Sequence, residues 1–243
     1  MKLTFLGHSA VAIRDGDHEV VIDPFLTGNP TAAVAPEALS PTVIVITHAH
    51  ADHVGDALAI ADRCGATIVS SVEIVNHLQH SRSSGAAGTA SSQEGGSAAF
   101  LGANVGGRVR LPVGSLRFTP AWHSSGFADG SYGGMPMGVV LEMGGKRVYH
   151  AGDTGLFGDM ALIGRHGLDV ALLPIGGHYT MDPEEAVEAV RLLRPKHVVP
   201  IHYGTFELIA QDPAAFRDAV AALGDEAGGA RVRVLAPGEA LEI

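Results

Sequence analysis

Cysteine is almost missing from this chain: Cys64 is the single one among 243 residues. A disulfide within the chain is therefore excluded, and a Cys-based zinc site would lack ligands. Cys64 ends an expected helix just before Gly65, a position that suits a buried thiol. Charge is also sparse, at 17% of residues, and cations are the rarer sign: 16 Lys and Arg face 26 Asp and Glu, for a net charge of −10. The basic residues are scattered, so the footprint of a nucleic-acid binder is missing. No apolar run approaches the length that spans a bilayer, so no membrane is expected as a partner. The opening residues Met1 to Leu6 run straight into a strand, too short for a signal-peptide core and without a small-residue cleavage site after them. A soluble, cytoplasmic protein is the expectation.

What remains is 46% apolar, with 32 Gly and 13 Pro. That mixture suits a compact, loop-rich α/β chain, read here as one domain over residues 1–243. Short strands are expected at 3–6, 10–14 and 19–22, with a turn at Asp15-Gly16-Asp17 between the last two. Val43-Ile44-Val45-Ile46 reads as a buried strand. A helix is expected from Val54 to Cys64, a strand at 67–70 and a short helix from Val72 to Gln79. Residues 81–107 read as a long loop, because small and polar residues dominate and no period shows through Gly96. Further strands are expected at 108–111, 115–121, 137–142, 146–150, 169–173, 197–200 and 232–235, with Gly144-Gly145 as a hairpin turn. Leu156 to His166 looks helical. Asp182-Pro183-Glu184-Glu185 opens a helix to about Leu193, and Asp212-Pro213 another through Leu223. Two similar halves, each a mostly antiparallel sheet with helices, would make a four-layer αββα sandwich. Periodicity alone supports only a mixed α/β class.

Histidine, by contrast, is plentiful: thirteen are present, several beside aspartates. His48-Ala49-His50-Ala51-Asp52-His53 follows the buried strand and precedes a helix. In extended chain, residues two apart point the same way, so His48 and His50 can reach one ion while Asp52 and His53 face a second. His123, Asp153 and His202 each follow an expected strand and precede a small-residue or glycine turn, where a rigid scaffold can aim them into one cleft. Each alone is a weak signal; together and in this order they point to metal.

This set resembles the metal motifs of the metallo-β-lactamase superfamily. The phrases Gly7-His8-Ser9, Ile22-Asp23-Pro24-Phe25, Pro120 to Gly126, His150 to Thr154, Pro174 to Met181 and Pro200 to Phe206 look like its bacterial metal-dependent hydrolases related to ascorbate-6-phosphate lactonase. The resemblance covers nearly the whole chain except about residues 81–104. It implies the αββα fold and two divalent ions, zinc first, with manganese, iron or nickel also suited to an all His/Asp set. It assigns His48, His50 and His123 to one ion and Asp52, His53 and His202 to the other, with Asp153 bridging and Asp52 able to move a proton to the leaving group. A hydroxide between the ions would then attack a carbonyl or phosphoryl centre. His8 and His178 are both candidates for lining the substrate pocket or polarising the substrate oxygen, and either could instead orient a metal ligand. Asp23 is a candidate for orienting a ligating histidine or its loop. His150 is read as a supporting residue.

The expected activity is hydrolysis of a small ester, lactone or phosphoester. The alternatives are a phosphodiesterase or nuclease of the same fold and a non-catalytic metal-binding regulator. A redox di-iron protein fits poorly, because His50 stands where those relatives carry Glu and no flavin domain is evident. The expected partner is a small-molecule substrate; a homo-oligomer stays open.

Overall fold

The computed structural model of the chain describes residues 1–84 and 98–243. The first half contains β1 (Lys2–Gly7), β2 (Ala10–Asp15), β3 (His18–Ile22), β4 (Val43–Val45), α1 (Ala51–Val54), α2 (Ala57–Cys64), β5 (Thr67–Ser71), α3 (Val72–Ser83) and β6 (Ala99–Ala103). The second contains β7 (Arg108–Leu111), β8 (Gly114–Pro120), β9 (Met137–Met143), β10 (Lys146–His150), α4 (Met160–Gly164), β11 (Val170–Pro174), α5 (Pro183–Leu193), β12 (His197–Ile201), α6 (Pro213–Ala222), β13 (Arg231–Val232) and β14 (Ala240–Glu242). They form two seven-stranded sheets, ordered β14-β1-β2-β3-β4-β5-β6 and β13-β12-β11-β10-β9-β8-β7.

Three apolar layers hold these sheets and their helices together. Alternation along each strand sends successive side chains to opposite faces. Val43 and Val45 of β4 therefore join the core between the sheets, with Val170 and Leu172 of β11 opposite. Ile44 and Ile46 turn outward onto Ile60 and Ile74 of the first helical layer. Ala171 and Leu173 turn outward onto Val190 and Phe216 of the second. Helix, sheet, sheet and helix thus stack as four layers, as the motifs implied.

Several local expectations need correction. The sheets are mixed: β1, β2 and β3 pair antiparallel, but β3 to β6 run parallel, and β10 to β13 repeat that pattern. Parallel pairing needs long crossovers, and these are helical except from β3 to β4, where residues 23–42 return as a loop. The helix expected over 54–64 breaks at Gly55. There φ is +42°, and the Asp56 carboxylate draws the chain aside by accepting from the backbone N–H groups of Leu26 and Thr27, at 3.1 and 2.8 Å. The helix expected over 156–166 shrinks to α4, which starts only after Gly158. The expected loop 81–107 is cut at both ends. α3 continues to Ser83, with Arg82 pairing to Asp62 at 3.2 Å, and β6 pairs with β5 as the sheet's edge. Residues 85–97, most of that loop, lie outside the described residues. The strand expected at 232–235 is the shorter β13, and β14 had no signal in the sequence.

Candidate metal centre

The strand ends explain where the candidate residues gather. His8 directly follows β1, Asp23 follows β3 and His202 follows β12, while His123 and Asp153 each stand three residues after β8 and β10, and β4 feeds the His48 to His53 loop. His8, Asp23 and His202 all adopt left-handed backbone, with φ of +57°, +50° and +54°. Such conformations cost about 1–3 kcal/mol each and concentrate at functional sites. Two of the three are joined directly, since the backbone N–H of His202 donates to the His8 carbonyl at 2.8 Å. That bond stitches the end of one sheet to the end of the other.

Ligand-type atoms fall into three overlapping groups, each within 4.8 Å: His48, His50 and His123; His8, Asp52, His53 and His202; and His48, His53 and Asp153. Asp153 lies between the first two. Its Oδ2 is 3.0 Å from His202 Nε2 and 3.5 Å from His123 Nε2, and its Oδ1 is 3.3 Å from His53 Nε2. His48, His53 and Asp153 form the buried floor, whereas His50, Asp52 and His123 are half-exposed at the mouth. All seven residues expected as ligands are thereby brought together.

Hydrogen bonds fix which nitrogens face inward. Asp23 is fully buried; its Oδ1 accepts from the Thr47 N–H at 2.8 Å and its Oδ2 from the Thr47 hydroxyl at 2.7 Å. The Thr47 proton is thus committed, so His48 Nδ1–H must donate to Thr47 Oγ1 at 3.0 Å. Its Nε2 is left as a lone pair aimed at the cluster. Asp23 Oδ2 also accepts from His53 Nδ1–H at 2.7 Å, turning His53 Nε2 inward. One buried carboxylate therefore orients two histidines, directly and through Thr47.

His8 departs from the pocket expectation. Its side chain is buried, with Nε2 donating to Asp52 Oδ2 at 3.1 Å and Nδ1 accepting from the Thr205 hydroxyl at 2.9 Å. It braces Asp52 from behind, since the turn after β1 tucks beneath the β12 loop. His178 stands exposed on the loop after β11, its ring edge-on to Tyr179 at 4.5 Å, and is not among the gathered residues. His150 donates from Nε2 to the Ser9 carbonyl at 2.9 Å and accepts from Gly152 N–H, a second tie between the sheets. Thr47, Thr205 and Ser124, whose hydroxyl is 3.3 Å from His50 Nε2, were not singled out from sequence. Each sits next to or within a few residues of a candidate ligand, which was the one available signal.

Electrostatics suit a cation. Burial pushes the imidazoles of His48, His50, His123 and His8 down, which favours uncharged rings able to offer a lone pair. Burial would raise the Asp52 carboxyl, but the His8 hydrogen bond and His53 hold it well below its ordinary range. Burial would likewise raise Asp153, yet His202 and His53 hold it well down. Burial would lower His53, but Asp153 and Asp23 draw it well up. The donor set fits metal on a further observation. His53 Nε2 and Asp153 Oδ1 are buried and face each other at 3.3 Å without a well-formed hydrogen bond between them or to any other group, and buried polar atoms left so are rare unless an ion or water satisfies them.

Comparison with known proteins accords with this geometry. Residues 18–203 match the family model described as Beta-lactamase superfamily domain. A UPF0173 metal-dependent hydrolase of Thermus thermophilus is 50% identical over 243 residues, covering 100% of this chain and 99% of the relative. One of Deinococcus radiodurans is 46% identical over 246 residues, covering 100% of both. Among solved structures, Igni18, a metallo hydrolase from Ignicoccus hospitalis, aligns with a TM-score of 0.83 and 42% identity, covering 100% of this chain and 98% of that one. A metallo-beta-lactamase fold protein from Bacillus subtilis shares the fold at 12% identity, with a TM-score of 0.72 and coverage of 99% and 98%. Full-length identity at this level, with the fold and the His/Asp cluster, makes the chain a member of the beta-lactamase superfamily and one of its metal-dependent hydrolases.

Proposed function

We propose that the chain is a dinuclear hydrolase that cleaves a small ester, lactone or phosphoester. The position of Asp153 carries this reading, because one carboxylate reaches His123 on one side and His53 and His202 on the other. His48, His50 and His123 would hold one ion, and Asp52, His53 and His202 the other, with Asp153 shared. Zinc suits such a set, as do manganese, iron and nickel. When bound, two such ions bring the pKa of water toward neutrality and take up charge on the substrate oxygen.

The chain's own residues do the rest. Asp23 and Thr47 hold His48 and His53 in the tautomers that present Nε2. His8 holds one Asp52 oxygen, and the half-exposed Asp52 carboxylate at the mouth can pass a proton to the leaving group. His48, His53 and Asp153 close the floor against water. The lone Cys64 lies away from all of this, with its thiol toward the Leu39 carbonyl at 3.7 Å.

Elemental analysis after gentle purification is expected to give about two metal equivalents per chain, the number set by two ligand groups sharing one carboxylate. Asp153→Ala should lose metal at both positions and abolish hydrolysis, while Cys64→Ser keeps both. A metal content near zero under replete conditions, or equal behaviour of the two variants, overturns the assignment.

A further inference from the structure

Cations are missing from one end of the molecule. All 16 Lys and Arg lie outside the stretches 3–13, 15–62, 118–145, 148–164, 166–190 and 197–216, and every residue of the cluster lies inside them. Strand geometry turns this into distance. Six positions separate Lys2 from His8, Arg117 from His123, Arg147 from Asp153 and Lys196 from His202. Along extended chain that is about 20 Å. Two of these cations are also engaged where they stand: Arg147 with Glu142 at 3.2 Å, and Lys196 with Asp169 at 2.9 Å. At physiological ionic strength, charges more than about 8 Å apart through solvent are largely screened. A carboxylate or phosphate carried by the substrate away from the reacting bond would find no counter-ion here.

The same end exposes apolar surface instead. Nine large apolar side chains are exposed among the described residues, and six of them, Trp122, Tyr132, Met135, Tyr179, Phe206 and Leu208, stand on loops that border the cluster. Trp122 directly precedes His123 and is 70% exposed. Its backbone N–H donates to the Thr154 hydroxyl at 2.9 Å, and the backbone N–H of Met181 donates to the Thr154 carbonyl, also at 2.9 Å. The loops carrying Trp122 and Tyr179 are thus fastened to the neighbour of Asp153. The Phe206 ring lies 5.7 Å from that of His8, which lies 4.2 Å from that of His202. Exposed apolar side chains concentrated beside a reactive cluster mark a binding surface.

From this segregation we infer that the substrate is an uncharged carboxylic ester or lactone whose alkyl or aryl group lies on Trp122, Tyr179 and Phe206. The assignment rests on the hydrolytic reading above and narrows it, leaving out phosphoesters and substrates with anionic tails. In the reaction water adds to the acyl carbon, the C–O bond to the alcohol breaks, and a proton passes to the leaving oxygen. The products are an acid and an alcohol, with nothing oxidised or reduced.

The test uses the full chain carrying two metal equivalents. Along 4-nitrophenyl acetate, butyrate and hexanoate, kcat/KM should rise about two- to fourfold per CH2, the upper figure corresponding to about 0.8 kcal/mol for full burial. 4-Nitrophenyl hydrogen adipate, which carries a carboxylate in place of the terminal methyl of the hexanoate, should fall at least about tenfold below the hexanoate, the equivalent of about 1.4 kcal/mol, and 4-nitrophenyl phosphate should be poorer still. Trp122→Ala, Tyr179→Ala and Phe206→Ala should flatten the chain-length gradient with metal content retained. Because Trp122 is the single tryptophan, its fluorescence gives a readout independent of turnover. Heptanophenone, a ketone that hydrolysis cannot cleave, should quench it, and 7-oxo-7-phenylheptanoate should do so far less. Preference for the adipate or the phosphate overturns the inference and leaves the hydrolase reading standing. Quenching by the ketone without turnover of any ester overturns the hydrolytic reading and keeps the apolar surface. Neither quenching nor turnover overturns both.

Discussion

At the residue scale, Asp23 does more than its place in the sequence announces. It accepts three hydrogen bonds, two from Thr47 and one from His53, and through them sets the tautomers of His48 and His53. An amide at this position would have to offer N–H groups where acceptors are needed. Asp23→Asn is therefore expected to weaken metal binding about 10–100-fold, the usual cost of losing such a supporting partner. The fold should survive, because Asn tolerates the left-handed backbone found there. Competition against a chelator measures this, and unchanged affinity would show that the orienting bonds are dispensable.

At the scale of elements, the short connection from α1 to α2 shows how a helix can be interrupted for the site's benefit. A Cβ at Gly55 would strike the Pro24 carbonyl and the Phe25 backbone. The break lets α1 stop one residue after His53, and lets Asp56 pin the 24–27 loop that follows Asp23. Gly55→Ala meets both the contact and the positive φ. It should cost at least about 1–3 kcal/mol, or several degrees in Tm at about 2–4 °C per kcal/mol for a chain of this size. Gly16→Ala shares only the backbone term, since nothing lies within 4 Å of its Cβ at φ +57°. Its loss should be smaller, and thermal unfolding of the two variants side by side checks the difference.

For the whole molecule, two sheets meet over an apolar core but are tied at the reactive end by polar contacts. His150 to Ser9, His202 to His8 and Met137 N–H to the Thr47 carbonyl all cross between the halves. Burial holds His150 below its ordinary value of 6.5, so the folded chain keeps it neutral while the unfolded chain protonates it first. Its contribution is present above pH 6.5 and is lost as pH falls from there toward the lowered folded value. His8 and His48 act in the same direction. His53 acts in the opposite one, being held up. Denaturation of metal-free protein at pH 7.5, 6.5 and 5.5, compared with His150→Gln, isolates the first effect. The variant should be less stable at pH 7.5 and lose less on acidification; parallel curves would assign the acid sensitivity elsewhere.

The sequence by itself determined the family of this protein, its class as a metal-dependent hydrolase and most of its order of elements. His-Ala-His-Ala-Asp-His after a β-branched run, and His123, Asp153 and His202 after further strands, are local patterns whose meaning depends on neighbours along the chain. So are Asp182-Pro183 at the start of α5 and the two glycines between β9 and β10, and all were legible. Tertiary structure alone decided what depends on residues far apart. That His8 braces Asp52 rather than facing the cleft follows from Thr205, 197 positions away. That residues 99–103 form a strand follows from β5, which supplies the ladder that Ala-Phe-Leu-Gly-Ala could not specify alone. The break at Gly55 likewise belongs to Pro24 and Phe25. Backbone hydrogen bonds and buried carboxylates must find partners wherever the fold provides them, and a pattern read along one dimension carries no record of where those partners stand.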